Sequence, residues 1–268
     1  MNDGAEGAAA EIHPSAVVEP GARIGAGTRI GPFCHVGPEV VLGAGCELKS
    51  HVVVAGLTEI GDGTVIFPFA SIGEVPQDLK FAGERSRLIV GARNRIREHV
   101  TMNAGTEGGG GVTRVGDDGL YMAGCHVAHD CRIGDRVIVV NQSAVAGHCQ
   151  IADDVIIGGL SGIHQWVRIG QGAIIGALSM VTNDVVPYGL VQGPRAELDG
   201  LNLVGLKRRG VARSDIQALR VALLTLKQGE GTFLERAKRL GDETDSDYVH
   251  RMVDFILGAS DRSFLVPR

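Results

Sequence analysis

An apolar residue recurs at every sixth position along most of the chain. In the first run, from Ile12 to Ile72, all of these positions hold Val, Ile or Leu. The period pauses, resumes at Val90, pauses again and then runs from Val115 to Val181. Glycine often follows the apolar residue, and we expect it to supply the unusual backbone angles of tight corners. A six-residue period over this length indicates a repeating structure.

The fifth position of each hexad is equally restricted, because it holds only small or β-branched residues. In the last run these residues are Cys131, Val137, Ser143, Cys149, Val155, Ser161, Val167, Ala173 and Ser179. Such side chains suit a short strand that turns inward near a corner. The pattern resembles the hexapeptide repeat, which implies an all-β left-handed parallel β-helix. Three hexads make one triangular coil in that fold, so residues 18 apart stack at about 4.8 Å, the strand spacing.

The two pauses predict loops that leave the prism at about residues 74–87 and 104–114. The period ends near Pro187, and a linker rich in Pro and Gly follows. The predicted domains are a flexible N-terminus over residues 1–11, the β-helix over 12–190 and a small α-helical C-terminal domain over 191–268.

Beyond the linker, the spacing of apolar residues becomes helical. The segment SDIQALRVALLTLKQG predicts a helix with Ser214 as its N-cap. The segments TFLERAKRL and DYVHRMVDFILG predict two more helices.

The composition excludes several classes of protein. A net charge of −5 gives no overall basic footprint for nucleic acid. The sequence has no run of about 18 apolar residues, so no integral membrane segment is expected. The first residues lack the basic and apolar parts of a signal peptide, and we therefore expect a cytoplasmic protein with reduced cysteines.

Cys34, Cys46, Cys131 and Cys149 occupy the fifth hexad position. Cysteine there acts as a small apolar residue, interchangeable with Ala, Val or Ser. Cys131 and Cys149 are 18 residues apart and should stack, but no CxxC motif accompanies them. We therefore predict no metal site. Nothing in the sequence indicates reactivity for Cys125.

Nine histidines are present, and four of them fall within 39 residues: His126, His129, His148 and His164. Stacking by 18 residues places His129 beside Gly147 and Asp130 beside His148. His164 follows Ala146 by one coil. The cluster is therefore expected to converge on one edge of the prism.

His129 is the candidate general base, because histidine titrates near neutral pH and can take a proton from a hydroxyl group. Asp130 could orient a histidine, although direct contact with His129 requires a corner between these consecutive residues. Gly147 leaves its N–H approachable, and such a donor stabilises a developing oxyanion. No Ser or Cys elbow motif lies nearby, which favours direct attack of a substrate hydroxyl on an activated acyl group.

Five stretches, IGEVPQDLKF, HVAHD, AVAGH, GIHQW and GLNLVGLKRRG, together resemble one family over about residues 12–265. This family is the UDP-N-acetylglucosamine O-acyltransferases that start lipid A synthesis. The resemblance implies a homotrimer with active sites between subunits. It also implies transfer of an R-3-hydroxyacyl chain from acyl carrier protein to the sugar's 3-hydroxyl, without a metal or other cofactor.

The resemblance also implies roles for single residues. His129 is the base, Asp130 supports it and the Gly147 N–H is the oxyanion donor. Residues implied to bind the sugar, phosphate or acyl chain are Gln77, Asp78, Lys80, His126, His148, His164 and Gln165. Residues implied to bind the nucleotide and its phosphates are Asn202, Arg208 and Arg209. An arginine pair independently suits a diphosphate, although a solvated basic turn has the same sequence.

The chain departs from the family pattern at a few positions. Asn103 and Ala104 replace a frequent His-Arg pair, and Val204 replaces an acidic nucleotide contact. These changes leave a 3-amino UDP-sugar as an alternative acceptor. Ala177 occupies the position that limits acyl length in the family, and its methyl group is expected to shorten the chain relative to Gly.

Two other classes of protein remain as alternatives. A γ-type carbonic anhydrase is also a trimeric β-helix, with metal-binding histidines between subunits. Its chemistry has no use for the helical tail or the arginine pair. A non-enzymatic scaffold would explain the rigid prism but not the cluster of histidines.

Overall fold

A computed structural model describes residues 9–260 and 262–266 of the chain. Residues 1–8 of the predicted flexible N-terminus lie outside this range, and the first strand begins at Glu11. Most strands are two residues long and are separated by turns, so the chain changes direction every six residues. Every third strand pairs in parallel with its counterpart one coil later, and the described residues thereby form three sheets.

The three sheets are the faces of a triangular prism. Sheet 1 contains Glu11–Ile12, Arg29–Ile30, Glu47–Leu48, Val65–Ile66, Arg95–Ile96, Leu120–Tyr121, Ile138–Val139, Ile156–Ile157, Ile174–Ile175, Gly189–Gln192 and Glu197–Leu201. Sheet 2 contains Val17–Val18, His35–Val36, Val53–Val54, Ser71–Glu74, Thr101–Asn103, His126–Val127, Ala144–Val145, Gly162–Ile163 and Met180–Val181. Sheet 3 contains Arg23–Ile24, Val41–Leu42, Leu57–Ile60, Arg87–Val90, Val112–Val115, Arg132–Ile133, Gln150–Ile151 and Arg168–Ile169.

The first and fifth hexad positions fill the interior of the prism. Val127 and Cys131 are fully buried, and Val145 and Cys149 are buried beneath them in the next coil. Val127 pairs with Val145, which confirms the predicted stacking of residues 18 apart. The core is therefore a column of aliphatic and small side chains.

Most glycines that follow the first hexad position have a different role from the predicted one, with Gly73 (φ 87°) as an exception. Gly25 and Gly61 do not adopt the left-handed backbone conformation. A Cβ atom on Gly25 would instead lie 2.3 Å from the carbonyl carbon of Gly43, because consecutive coils approach closely there. The left-handed conformation occurs at the fourth position, as at Asp130 (φ 60°) and His148 (φ 63°).

Two loops interrupt the stack, and the strands on either side of each loop still pair in parallel, with one register shift between Ile72 and Glu74 where the first loop begins. The first covers residues 75–86, and Leu57 consequently pairs with Arg87, 30 positions later. The second covers residues 104–111 and contains the 3₁₀ turn Glu107–Gly109, so that Arg87 pairs with Val112, 25 positions later. Each loop follows a strand of sheet 2 and precedes a strand of sheet 3. Both therefore leave the prism at the corner between these sheets, which we call the 2–3 corner.

The β-structure continues past residue 190, where the sequence predicts the domain boundary. The strand Glu197–Leu201 returns antiparallel to Gly189–Gln192 at the end of sheet 1. The helices that follow are α1 (Leu203–Arg208), α2 (Arg213–Lys227), α3 (Phe233–Glu243) and α4 (Asp247–Leu257). None of the helices that the structure describes has the length and apolar character needed to span a bilayer.

The structure corrects the predicted start of α2 and adds a helix. Ala212, rather than Ser214, is the N-cap of α2, because the N–H of Ile216 closes the first turn on the carbonyl of Ala212. This start directs Ile216 and Leu219 towards the other helices. Helix α1 was not predicted; the side chain of Asn202 caps it by accepting a hydrogen bond from the N–H of Gly205 at 2.9 Å.

Candidate active site

His129, Gly147 and Gln165 follow strands of sheet 2 in three consecutive coils and precede strands of sheet 3. They therefore stack at the 2–3 corner, directly below the two loops. The pairing of His126 with Ala144, and of Ala144 with Gly162, fixes this register.

The corner brings His129 and Asp130 into direct contact, a question that the sequence left open. Asp130 has the left-handed conformation, with φ 60°, and its backbone turns between the two residues. Asp130 Oδ2 lies 2.8 Å from His129 Nδ1, and both residues are buried, with 6% and 4% exposure. An ionised carboxylate only accepts hydrogen bonds, so Nδ1 carries the hydrogen and Nε2 keeps its lone pair. This is the tautomer that a general base requires.

The second loop encloses the Asp130 carboxylate. Thr106 donates its N–H to Oδ1 at 2.8 Å and its hydroxyl to Oδ2 at 2.6 Å. A Cβ atom on Gly109 would lie 2.0 Å from the carboxyl carbon, so the loop approaches as closely as a glycine permits. Sequence reasoning missed Thr106, because the loop has no period from which its position could be deduced.

Gly147 lies against the other nitrogen of His129. A Cβ atom on Gly147 would be 2.7 Å from His129 Nε2 and 2.5 Å from Cε1. The N–H of Gly147 has no hydrogen-bond partner within residues 9–260 and 262–266. A donor without a partner among the described residues therefore lies beside Nε2 of His129.

The first loop brings Asp78 to the same nitrogen. Asp78 Oδ2 is 4.0 Å from His129 Nε2. The Asp78 side chain also accepts the N–H of Lys80 at 3.0 Å, which orders the loop at this point. Gln77 and Lys80 are exposed beside it. The loop thus presents polar and charged groups over the base.

His148 lies one coil beyond Asp130, as the stacking predicts. Its Nδ1 is 3.7 Å from Asp130 Oδ2, and its ring meets His129 edge-on at 4.9 Å. The ring of Trp166 stacks on His148 at 3.8 Å. Burial lowers the pKa of His148, while Asp130 acts in the opposite direction. Trp166 ends the motif GIHQW but was not among the predicted site residues.

His126 lies on the sheet 2 side of the corner. The hydroxyl of Thr101 and His126 Nδ1 are 2.7 Å apart. Burial lowers the pKa of His126, and the nearby His129 lowers it further. The structure therefore favours the uncharged form of His126 at neutral pH.

His164 is one coil further along the corner and is held by the C-terminal tail. Arg262 donates to His164 Nδ1 at 2.9 Å and to the carbonyl of Thr182 at 2.8 Å. His164 Nδ1 also lies 3.1 Å from the carbonyl oxygen of Gln165. Arg262 was not among the predicted residues, because the tail carries no recognisable motif.

The predicted nucleotide-binding residues lie elsewhere in the same chain. Asn202 is buried, and its amide donates to the carbonyl of Gly172, between sheets 3 and 1. Arg208 and Arg209 are exposed, and a Cβ atom on Gly172 would lie 2.6 Å from the Arg209 guanidinium. Ala177 is exposed at the remaining corner, between sheets 1 and 2. A single chain does not bring these residues to His129.

Ligand atoms of His129, Asp130 and His148 lie within 4.8 Å of one another, as they would around a metal. However, the Asp130 carboxylate is already bonded by His129 and by Thr106, so a metal would have to displace these donors. The five cysteines are buried and free, and Cys131 Sγ donates to the carbonyl of Ala146. The geometry at Asp130 is that of a residue that orients a histidine.

Comparison with known proteins agrees with this geometry. Residues 184–265 match the family UDP N-acetylglucosamine O-acyltransferase, domain 2, and residues 21–56 match the bacterial transferase hexapeptide (six repeats). A Caulobacter vibrioides protein named acyl-[acyl-carrier-protein]--UDP-N-acetylglucosamine O-acyltransferase is 54% identical over 257 residues, or 96% of this chain and 98% of that protein. The chain belongs to the UDP-N-acetylglucosamine O-acyltransferase family.

Other family members support the same assignment. A Paracoccus denitrificans protein of the same name is 68% identical over 74% of this chain and 75% of its own length. The structure of UDP-N-acetylglucosamine acyltransferase from Campylobacter jejuni matches with a TM-score of 0.91 at 38% identity, and the match covers 96% of this chain and 100% of that one. The predicted fold, a left-handed parallel β-helix followed by a small helical domain, is confirmed. The predicted family is confirmed as well, and the carbonic anhydrase alternative is not favoured.

Proposed function

We propose that this protein transfers an R-3-hydroxyacyl chain from acyl carrier protein to the 3-hydroxyl of UDP-N-acetylglucosamine, the first step of lipid A synthesis. The observation that carries the proposal is the arrangement around His129. Its Nδ1 is 2.8 Å from Asp130 Oδ2, and its Nε2 lies beside Gly147, whose N–H has no hydrogen-bond partner among the described residues. The base and the oxyanion donor therefore lie close enough to act on the same reacting group.

The reaction proceeds by direct attack. His129 Nε2 takes the proton of the sugar hydroxyl as its oxygen attacks the thioester carbonyl carbon. The Gly147 N–H donates to the oxyanion of the tetrahedral intermediate. The carbon–sulfur bond then breaks, and the imidazolium returns the proton to the leaving thiolate. Asp130 stabilises the imidazolium between these steps, as a buried carboxylate does in a catalytic triad.

The remaining predicted residues bind the substrates. Asp78, Lys80 and Gln77 hold the sugar or phosphate from the first loop, and His126, His148, His164 and Gln165 line the cleft. Arg208 and Arg209 bind the nucleotide, with Asn202 holding this pair in position, and Ala177 limits the acyl chain. Because these last residues lie at other corners of the prism, the proposal includes a homotrimer whose active sites are shared between copies.

The proposal also includes a cytoplasmic location and docking of acyl carrier protein. That carrier is acidic, so basic residues along the cleft favour its approach.

Asn202 serves the nucleotide indirectly, since its buried amide fixes the start of α1 and thereby the position of the arginine pair.

The test is an acyl-transfer assay followed by mass spectrometry of the product. Acyl carrier proteins bearing 3-hydroxyacyl chains of several lengths are offered with UDP-N-acetylglucosamine or its 3-amino analogue. We expect an O-acylated product, and a lower rate by about a hundredfold or more in His129→Gln. His99→Gln, which changes an exposed histidine at another corner, is the matched control. Product from the 3-amino sugar alone would contradict the proposed acceptor, and an unchanged rate in His129→Gln would contradict the proposed base.

A further inference from the structure

One oxygen of Asp130 lies between two histidines. Asp130 Oδ2 is 2.8 Å from His129 Nδ1 and 3.7 Å from His148 Nδ1. Either imidazole could be the partner of this carboxylate after a small rotation of the side chain. The structure must therefore contain a feature that selects His129.

The hydroxyl of Thr106 is the shortest contact of that oxygen, at 2.6 Å. The backbone N–H of the same residue bonds the other oxygen, Oδ1, at 2.8 Å. Two donors from one residue fix both the position and the plane of a carboxylate. We propose that Thr106 is a positioning residue that keeps the Asp130 carboxylate on His129 rather than on His148. The effect on catalysis rests on the proposed function, whereas the effect on the histidines does not.

The surroundings of Thr106 restrict the carboxylate further. Gly109 packs against its carboxyl carbon and Gly105 against Oδ1, with no room for a side chain at either position. The N–H of Asp130 donates to the hydroxyl of Thr113 at 2.7 Å, which holds the backbone of the corner. The second loop and the strand that follows it thus fix Asp130 from both sides, and Thr106 supplies the hydrogen bond closest to the histidines.

Thr106 can be changed without altering the backbone. Its extended conformation, with φ −122° and ψ 156°, suits a valine, which has the same shape and retains the N–H. Thr106→Val removes only the hydroxyl bond to Oδ2, and Thr106→Ser restores it. Thr28→Val is the control, since Thr28 is also a buried threonine, whose hydroxyl donates to the carbonyl of Gly43 and accepts the N–H of Cys46 in coils away from the site.

Two measurements test the proposal. In Thr106→Val we expect kcat to fall about tenfold, the effect of one lost hydrogen bond, while KM for both substrates changes little. Thr106→Ser should recover most of kcat, and Thr28→Val should leave it unchanged. By NMR of the free protein, the Nδ1–H signal assigned to His129 should shift or broaden in Thr106→Val, and the ring signals of His148 should move with it.

The outcomes separate this proposal from the proposed function. A wild-type protein that lacks acyl-transfer activity, but whose His129 and His148 signals respond to Thr106→Val, would leave the positioning role intact. An active wild type whose kcat and histidine signals are unchanged in Thr106→Val would overturn it. Equal losses of kcat in Thr106→Val and Thr106→Ser would also overturn it, because the hydroxyl would then be irrelevant. If Thr106→Val does not fold, Thr106→Ala serves in the same comparison.

Discussion

Two corners of the prism use the same backbone for opposite purposes. At the corner between sheets 3 and 1, the N–H of the third hexad position is covered by an aspartate of the next coil. Asp117 donates to Asp135 Oδ1 at 2.8 Å, and Asp135 donates to Asp153 Oδ1 at 2.9 Å. At the 2–3 corner the same position in one coil is Gly147, whose N–H is free within the described ranges, 9–260 and 262–266.

The difference lies in the side chain of the next coil. Gln165, the residue below Gly147, is exposed and leaves the N–H uncovered. Gly147 in turn leaves room for the ring of His129. We therefore expect a corner to become reactive when the capping carboxylate is absent and a histidine fills the space that a glycine leaves. Asp117, Asp135 and Asp153, which we call the aspartate ladder, show the same turn with its N–H donors bonded.

The largest effect is expected from Gly147→Ala. The new methyl group would lie within 2.7 Å of His129 Nε2, so the ring must move away from the substrate. We expect kcat to fall about a hundredfold or more while the protein stays folded, because Gly147 does not have a left-handed conformation. Gly162→Ala is the control, since a Cβ atom there meets nothing within 4 Å. Steady-state kinetics would measure kcat, and circular dichroism would show whether each variant is folded. Similar activities in the two variants would contradict the role given to Gly147.

A smaller loss is expected from Asp130→Asn than from the loss of the base itself. The amide can no longer accept two hydrogen bonds at the same oxygen with the strength of a carboxylate, so His129 loses its orientation and charge stabilisation. We expect kcat to fall about tenfold to a hundredfold. Asp135→Asn, at the aspartate ladder, keeps the acceptor oxygen and should retain wild-type activity. Equal activity in the two variants would mean that the carboxylates of both corners are only structural.

Asp135→Ala is expected to change stability but not activity. It removes the acceptor of the Asp117 N–H, and one such hydrogen bond contributes about 1 kcal/mol. Denaturant titration should show this loss in the free energy of unfolding, with kcat unchanged. A loss of activity would show that the two corners are coupled through the coil.

The smallest effect is a difference in pH response between the corners. Burial lowers the pKa of His126 and His148 below the usual 6.5. Between the lowered pKa of each folded histidine and pH 6.5, the unfolded chain therefore binds more protons than the folded chain. Their contribution to stability is present above pH 6.5 and is lost as the pH falls. At the other corner, a hydrogen bond from Arg93 lowers the pKa of Asp118 below 3.8, and its contribution is lost only in stronger acid.

Unfolding curves at pH 7.5, 6.5 and 5.5 would test this order. The free energy of unfolding should fall over this range, and His126→Gln should reduce the slope. A slope that is unchanged in His126→Gln would exclude this histidine as a source of the pH dependence.

The repeat explains which parts of the site could be predicted. Counting by 18 placed Gly147 beside His129 and His148 beside Asp130, because every coil between them has the regular length. The contact between His129 and Asp130 was left open, since it depends on a left-handed conformation that a non-glycine residue rarely adopts.

The period carries no information about the segments outside the coils. Thr106 lies in an irregular loop and Arg262 in the tail, so their contacts follow from the folded path rather than from spacing. The role of Gly25 was misjudged for a related reason. Its requirement is the closeness of the next coil, a three-dimensional fact that the local sequence does not express.

The parallel pairing of strands across both loops has a consequence for the design of such proteins. Leu57 and Arg87 pair as if the first loop were absent. Each coil is therefore a separate structural unit, and an insertion is confined to the turn in which it lies. The prism could be lengthened or shortened by whole coils on the N-terminal side of residue 57, while the residues around His129 keep their geometry. The length of the prism and the chemistry of the site can therefore change independently of each other.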